Sequence, residues 1–218
     1  MRKIINIDTW NRKEHFNFFK NFDDPFFGVT VNVDFSTYYR QAKEAQASFF
    51  LYSLHKIMQA VNETEAFRYR IEDDKLVSYD VIHPTSTVGR EDGTFSFSFF
   101  EYYRDTKIFV DNAQEVVEKI KETTGLGLET SSDRNDIIHY SSVPWIQFTD
   151  MKHAVSFGNN AAIPKISTGK YFTEEQKIML PVSITVNHAV MDGFHVSLFL
   201  DKLIAKHESH PLQHGLLV

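Results

Sequence analysis

Alternating apolar and polar positions along the chain predict several β-strands. Residues 28–35, GVTVNVDF, alternate with a period of two, and residues 93–103, GTFSFSFFEYY, place phenylalanines on one face and serines on the other. The segment AFRYRIEDDKLVSYD predicts two strands around a turn at residues 72–74. DIIHYSS and the long apolar run KIMLPVSITVNHAV predict two more strands.

Three segments have helical spacing instead. Residues 36–64 predict one long helix that begins with Ser36 as its cap, or two helices with a break near Ser48. Residues 106–125 predict a helix that Gly125 ends, and residues 194–209 predict an amphipathic helix. The order of elements predicts an α/β fold (an α+β two-layer sandwich), with a mixed β-sheet and helices packed on one face.

Composition limits the classes of function. With 218 residues the chain is expected to form a single domain, 1–218. The net charge of -6 argues against a nucleic-acid partner. The sequence contains no run of about 18 apolar residues, so no membrane span is predicted. The N-terminus does not have the pattern of a signal peptide, so the cytoplasm is the expected location. The sequence has no cysteine, which excludes disulfides, cysteine metal ligands and thiol nucleophiles.

The densest group of chemically active side chains is VNHAVMDGFH, residues 186–195. Asp192 can cap the following helix, and Gly193 allows a tight backbone, including a positive φ. His188 follows an apolar strand, where partial desolvation favours the neutral ring that a general base needs. The alternative is an ordinary histidine at the edge of the core, and His195 has no evident role.

Several segments resemble one enzyme family. HAVMDG, residues 188–193, resembles the His-x-x-x-Asp-Gly motif of type A chloramphenicol acetyltransferases and of the catalytic domains of dihydrolipoyl acyltransferases, which share a fold. Further segments are similar to segments of the first family in the same order: RKEHFNFF, MQAVN, GTFSF, SSVPWIQF, IPKISTGKY and LPVSITVNHAVMDGFH. The resemblance covers almost the whole chain.

This resemblance implies a reaction and a set of catalytic residues. His188 would remove the proton from the 3-hydroxyl of chloramphenicol, and the oxygen would attack acetyl-CoA directly in a ternary complex, which confers antibiotic resistance. A serine shortly before Pro-Trp would donate to the oxyanion; the sequence offers Ser141 and Ser142, and register with Pro-Trp favours Ser141. Ser167 stands where the family has a threonine that holds a water near the intermediate.

The resemblance also implies supporting and CoA-binding residues. Asp192, together with Gly193, would support the site by pairing with Arg12 rather than by relaying a proton. Lys170 and Tyr171 match a pair near the nucleotide end of CoA. Acetyl-CoA would be a co-substrate, with no permanently bound cofactor and no metal. The C-terminal histidines are interpreted as a solvated tail and not as a metal site: His207, His210 and His214.

The acceptor pocket is expected to be aromatic, with Phe18, Phe19, Phe27, Val29, Phe95 and Phe97 as the candidates. Phe19 replaces a frequent tyrosine of the family, and Phe97 replaces a small residue. Related enzymes are homotrimers with active sites at the subunit interfaces, where His188 would face the acceptor pocket of the next subunit. Two alternatives remain open at this point: an acetyltransferase for another alcohol or thiol, and a catalytically silent trimeric binding protein.

Overall fold

The computed structural model describes residues 1–128, 133–154 and 161–204. The α-helices are α1 (Lys13–Phe19), α2 (Ser36–Glu44), α3 (Phe49–Glu63), α4 (Thr106–Lys121) and α5 (Gly193–Ile204). The strands are β1 (Arg2–Ile4), β2 (Phe26–Asp34), β3 (Tyr69–Glu72), β4 (Lys75–Tyr79), β5 (His83–Gly89), β6 (Phe95–Phe99), β7 (Ile137–Ser142), β8 (Lys165–Thr168), β9 (Phe172–Glu174) and β10 (Lys177–Asn187). The histidines of the C-terminal tail lie outside the described residues.

The main sheet is mixed and confirms the predicted fold class. Its strand order is β2-β10-β8-β7-β5-β6, with β9 paired to β10. The pairs β5–β7 and β7–β8 are parallel, whereas β10 runs antiparallel to both of its neighbours β2 and β8. The predicted hairpin is present as β3 and β4, and Asp73 and Asp74 turn it with positive φ angles of 48° and 60°. The hairpin belongs to a separate three-stranded sheet with β1, which the pattern did not predict.

The helices agree with the pattern except at their ends. Residues 36–64 form two helices, and Ser48 directly precedes the second one. The prediction that Ser36 caps α2 is wrong, since its hydroxyl accepts a hydrogen bond from Ile178 N of β10 at 2.8 Å. Gly125 does not end α4 either, because that helix stops at Lys121. Among the described residues, no helix is both long and apolar enough to cross a membrane.

The central strands have one apolar and one polar face. Side chains such as Tyr140, Ile166 and Ile184 are buried in the core beneath the helices. Their neighbours point to the opposite face because side chains alternate along a strand. Ser141 on β7 is the register partner of Ser167 on β8, which is in turn the partner of Ser183 on β10. A row of three hydroxyls therefore crosses the face away from the helices.

Strand β6 presents its phenylalanines outward. Ser96 and Ser98 are buried, whereas Phe95 is 44% exposed and Phe97 is half-buried. The serines can be buried because their hydroxyls donate to main-chain oxygens, as Ser98 does to Ser86 O at 2.9 Å. The alternating pattern thus predicted the strand correctly, and the aromatic face is left open next to the hydroxyl row.

Candidate active site

His188 lies directly after β10, in a niche of aromatic rings. Its backbone N–H donates to Pro25 O at 2.8 Å, which fixes the chain as it leaves the sheet. The imidazole stacks on Phe19, with ring centroids 4.1 Å apart and planes at 5°, and it lies 4.8 Å from Phe27. Phe18 is 62% exposed and lies against Phe19 at 5.0 Å. The ring is therefore held in place while remaining partly exposed.

Asp192 connects the loop after His188 to the N-terminal segment. Arg12 Nη1 donates to its Oδ2 at 2.6 Å, so the expected ion pair is present. The backbone N–H of Phe194 donates to Oδ1 at 3.0 Å, which caps α5 as predicted. Burial alone would raise the pKa of Asp192, but the hydrogen bonds from His195 and Arg12 outweigh it and lower the pKa to about 2.

His195 is part of this cluster, and the interpretation of it as a bystander is wrong. Its Nδ1 lies 2.8 Å from Asp192 Oδ1. An ionised carboxylate can only accept hydrogen bonds, so the ring must carry its proton on Nδ1 and donate. The three-residue spacing is the only sign of this contact in the sequence, and it places both side chains at the N-terminal end of α5.

Gly193 is the first residue of α5, and the reason expected for a glycine there does not hold. It is not among the residues with positive φ, and a Cβ added to it would meet no atom within 4 Å. The described part of the chain therefore does not require a glycine for the turn.

Ser141 and Ser167 border a cavity of about 320 Å³ on the polar face of the main sheet. Ser141 is partly exposed to this cavity. Phe97 lines the same cavity, with Phe95 next to it at 5.6 Å between ring centroids. The other lining residues are mostly polar: Thr85, Ser86, Thr87, His139, Tyr140, His153, Ala154 and Lys165.

His153 is the residue of this cavity that the sequence did not reveal. Its Nε2 lies 2.8 Å from Ser167 Oγ, and its Nδ1 lies 3.0 Å from Thr185 Oγ1. Ser167 has no exposed surface. Burial and, to a smaller extent, the charge of Lys165 lower the pKa of His153. A lone histidine in a stretch without periodicity carries no pattern, so only the folded chain places it here.

Another cavity, of about 410 Å³, lies beside the end of β7, and the expected CoA-binding pair lines it. Lys170 and Tyr171 line it together with Ser142, which faces the opposite side of the strand from Ser141. Tyr171 packs against Tyr39 and Phe49 on the helices, with ring centroids 5.3 and 5.6 Å away. The two serines before Pro-Trp are thus assigned to different cavities.

The expected acceptor residues divide into two groups. Phe18, Phe19 and Phe27 surround His188, whereas Phe95 and Phe97 lie near Ser141. The remaining candidate is Val29 on β2. It pairs with Ile184 on β10 and lines neither of the two cavities.

The same division separates the two proposed catalytic groups. His188 is five residues beyond Ser183, the register partner of Ser167. At about 3.3 Å per residue this corresponds to roughly 17 Å along the strand. One chain therefore does not bring His188 within hydrogen-bonding distance of the hydroxyl row.

The low pKa of Asp192 predicts a specific acid dependence of stability. Because its pKa of about 2 lies below the unfolded value near 3.8, the ionised group stabilises the fold above pH 4, and this contribution is lost as the pH falls towards 2. We expect the unfolding free energy of the native chain to lose about 1–2 kcal/mol more than that of Asp192→Asn between these pH values, allowing for screening of a partly exposed group. Urea denaturation of both proteins from pH 7 to 2 measures the difference; a constant gap would contradict it.

The fold is that of a class of CoA-dependent acyltransferases. A solved chloramphenicol acetyltransferase superposes with a TM-score of 0.87 at 33% identity, over 94% of this chain and 99% of that one. The dihydrolipoamide acetyltransferase of Azotobacter vinelandii shares the fold with a TM-score of 0.65 at 16% identity, over 88% of this chain and 84% of its own.

The sequence comparisons narrow this class to one family. Chloramphenicol acetyltransferase 3 of Escherichia coli is 32% identical over 200 residues, which cover 91% of this chain and 93% of that protein. The sequence model described as "Chloramphenicol acetyltransferase" matches residues 2–204. The chain belongs to the chloramphenicol acetyltransferase family, and the resemblance found in its sequence is confirmed.

Proposed function

We propose that this chain is a chloramphenicol O-acetyltransferase that transfers acetyl from acetyl-CoA to the 3-hydroxyl of chloramphenicol and so confers resistance in the cytoplasm. Residues 1–218 would form one acetyltransferase domain. The observation that carries the proposal is that one chain provides a held, partly exposed histidine, a row of hydroxyls and a separate cavity with Lys170 and Tyr171. Family membership supports the same reaction.

In the proposed mechanism His188 acts as a general base. It takes the proton of the acceptor hydroxyl while that oxygen attacks the thioester carbonyl, and the Ser141 O–H donates to the oxyanion that forms. The tetrahedral intermediate collapses with loss of CoA thiolate, which receives the proton from the His188 imidazolium. Arg12, Asp192 and His195 hold the loop that carries the base. No acyl-enzyme is needed, and the chain has no thiol for one.

CoA would bind in the cavity beside Ser142. Lys170 is exposed at its edge and can contact a phosphate as a point charge, while Tyr171 provides an aromatic wall. The resemblance implies a second CoA-binding lysine in the family at the position of Ser48, directly before α3, and a serine offers no charge there. Acetyl-CoA is proposed as a co-substrate rather than a resident cofactor.

We further propose that each site forms between two copies of the chain in a homotrimer. The separation of roughly 17 Å within one chain supports this, because another copy can place its hydroxyl row opposite His188. Buried polar atoms normally have partners, yet His188 Nδ1 and Arg12 Nε and Nη2 have none within the described residues. The outward-facing Phe95 gives the second copy an apolar surface.

The test is release of CoA from acetyl-CoA in the presence of chloramphenicol, followed with a thiol reagent. We expect release that saturates with chloramphenicol, with the 3-O-acetyl ester as the product in mass spectrometry. Omitting the acceptor measures simple hydrolysis. Absence of acceptor-dependent release at saturating substrates would exclude this function and favour a binding protein.

A second candidate is acetylation of another alcohol. Phe97 favours it, since this ring lines the cavity beside Ser141 where the family has a small residue, and it leaves less room for a nitrophenyl ring. A panel containing chloramphenicol, 4-nitrobenzyl alcohol and 1,3-diols without an aryl group distinguishes the two. A diol with a higher kcat/KM than chloramphenicol would favour the second candidate.

A further inference from the structure

Residues 151–154, which follow β7, lie on the polar face of the main sheet, and His153 lies over the hydroxyl row. The backbone is tied to the sheet on both sides of His153. Ser183 Oγ donates to Met151 O at 3.4 Å, and Lys165 Nζ donates to Ala154 O at 2.7 Å. The position of His153 is therefore set by strands β8 and β10 and not by the loop alone.

Both nitrogens of the His153 ring are engaged. Ser167 Oγ lies 2.8 Å from Nε2 and Thr185 Oγ1 lies 3.0 Å from Nδ1. Burial lowers the pKa of this ring, so at pH 7 it is neutral, with one donor and one acceptor nitrogen. A hydroxyl can serve either nitrogen, and turning the ring would break both bonds. The two hydrogen bonds thus fix the orientation of the His153 ring.

We infer that His153 is a specificity-determining residue of the acceptor pocket: its fixed ring is the wall that an acceptor meets, and Ser167 serves to hold that ring. Ser167 has no exposed surface, whereas His153 is partly exposed and lines the cavity with Ser141 and Phe97. An acceptor placed at Ser141 therefore meets the His153 ring. This inference rests on the proposed acetyltransferase function.

Removing the ring should weaken acceptor binding without removing the catalytic groups. Pocket contacts of this kind change discrimination by about 10- to 200-fold. His153→Ala should raise the KM for chloramphenicol by about 10-fold or more and change kcat by less than about threefold, because His188 and Ser141 remain. The KM for acetyl-CoA should not change, since the CoA cavity lies on the other side of β7.

Two conservative variants separate a held wall from mere bulk. Glutamine carries an amide to the position of Nε2 and can still bond Ser167, whereas asparagine reaches only the position of Nδ1, next to Thr185. We expect His153→Gln to recover more of the chloramphenicol KM than His153→Asn. Thr185→Val, which removes the hydroxyl bonded to Nδ1, should raise the same KM and leave kcat near the native value. If the His153 ring acted in the reaction itself, kcat would fall instead.

The experiment is steady-state kinetics of these variants with both substrates, together with their melting temperatures. Lys152→Ala, an exposed neighbour on the same loop, is the matched control and should match the native chain. An unchanged chloramphenicol KM in His153→Ala would overturn the inference. A lower kcat and melting temperature together with a rise in both KM values would overturn it as well. If the native chain acetylates only another alcohol of the panel, the KM is measured for that alcohol. If it acetylates none, the proposed function itself fails, and the inference with it.

Discussion

His188→Ala is expected to lower kcat by about 10²–10⁴-fold, the range for loss of a positioned general base. An alcohol is a weak nucleophile and needs a positioned base, and the His188 ring is held by stacking on Phe19. The KM values should change little, because the residues that line the two cavities remain in place. Stopped-assay kinetics with chloramphenicol and acetyl-CoA measure the loss.

The control for this variant is His15→Ala, which removes an exposed histidine from α1 and should leave kcat unchanged. Circular dichroism and size-exclusion chromatography should show that His188→Ala keeps its fold and assembly. A kcat close to the native value in His188→Ala would rule out the general-base role.

Ser141→Ala is expected to lower kcat by about 10²–10³-fold, as found when one oxyanion donor is removed. Ser141 is the candidate because its side chain opens into the cavity with Phe97, whereas Ser142 faces the CoA side. Ser141→Thr keeps the hydroxyl and should recover part of the rate. Ser78→Ala, on a strand of the small sheet, controls for the loss of any serine hydroxyl. Equal rates in Ser141→Ala and the native chain would exclude this donor.

The same two variants test where the sites are formed. If His188 and Ser141 of one site come from different copies, a mixture of the two inactive chains refolded together contains intact sites. Random assembly in equal amounts predicts about a quarter of native activity, since each site needs the right chain at two positions. Sites made within one chain would give no recovery.

The motif HAVMDG, together with the ordered segments along the rest of the chain, was enough to predict the family, and the resemblance implied the pairing of the motif's carboxylate. His188, Asp192 and Arg12 could be assigned because a spacing in the sequence matched a known pattern, and the ion pair between the last two is present. The contacts of His195 and His153 could not be assigned. Each depends on which side chains approach from distant segments, and neither leaves a periodic signal.

Two strands inside the main sheet were missed for the same reason. β5 and β8, with the sequences HPTSTVG and KIST, contain mostly polar residues. They show no apolar alternation, because they contribute hydroxyls to the cavity on the polar face of the sheet. That polar face is therefore what made these strands hard to recognise.

The sequence alone determined the fold class and the absence of any thiol route, and it predicted a general base at His188, because periodicity, motif spacing and residue types are local properties. The tertiary structure decided the rest. It separated His188 from Ser141, assigned Ser141 and Ser142 to opposite sides of β7, and placed His153 on Ser167. These facts follow from strand register and sheet alternation, which bring together residues that are far apart in the chain.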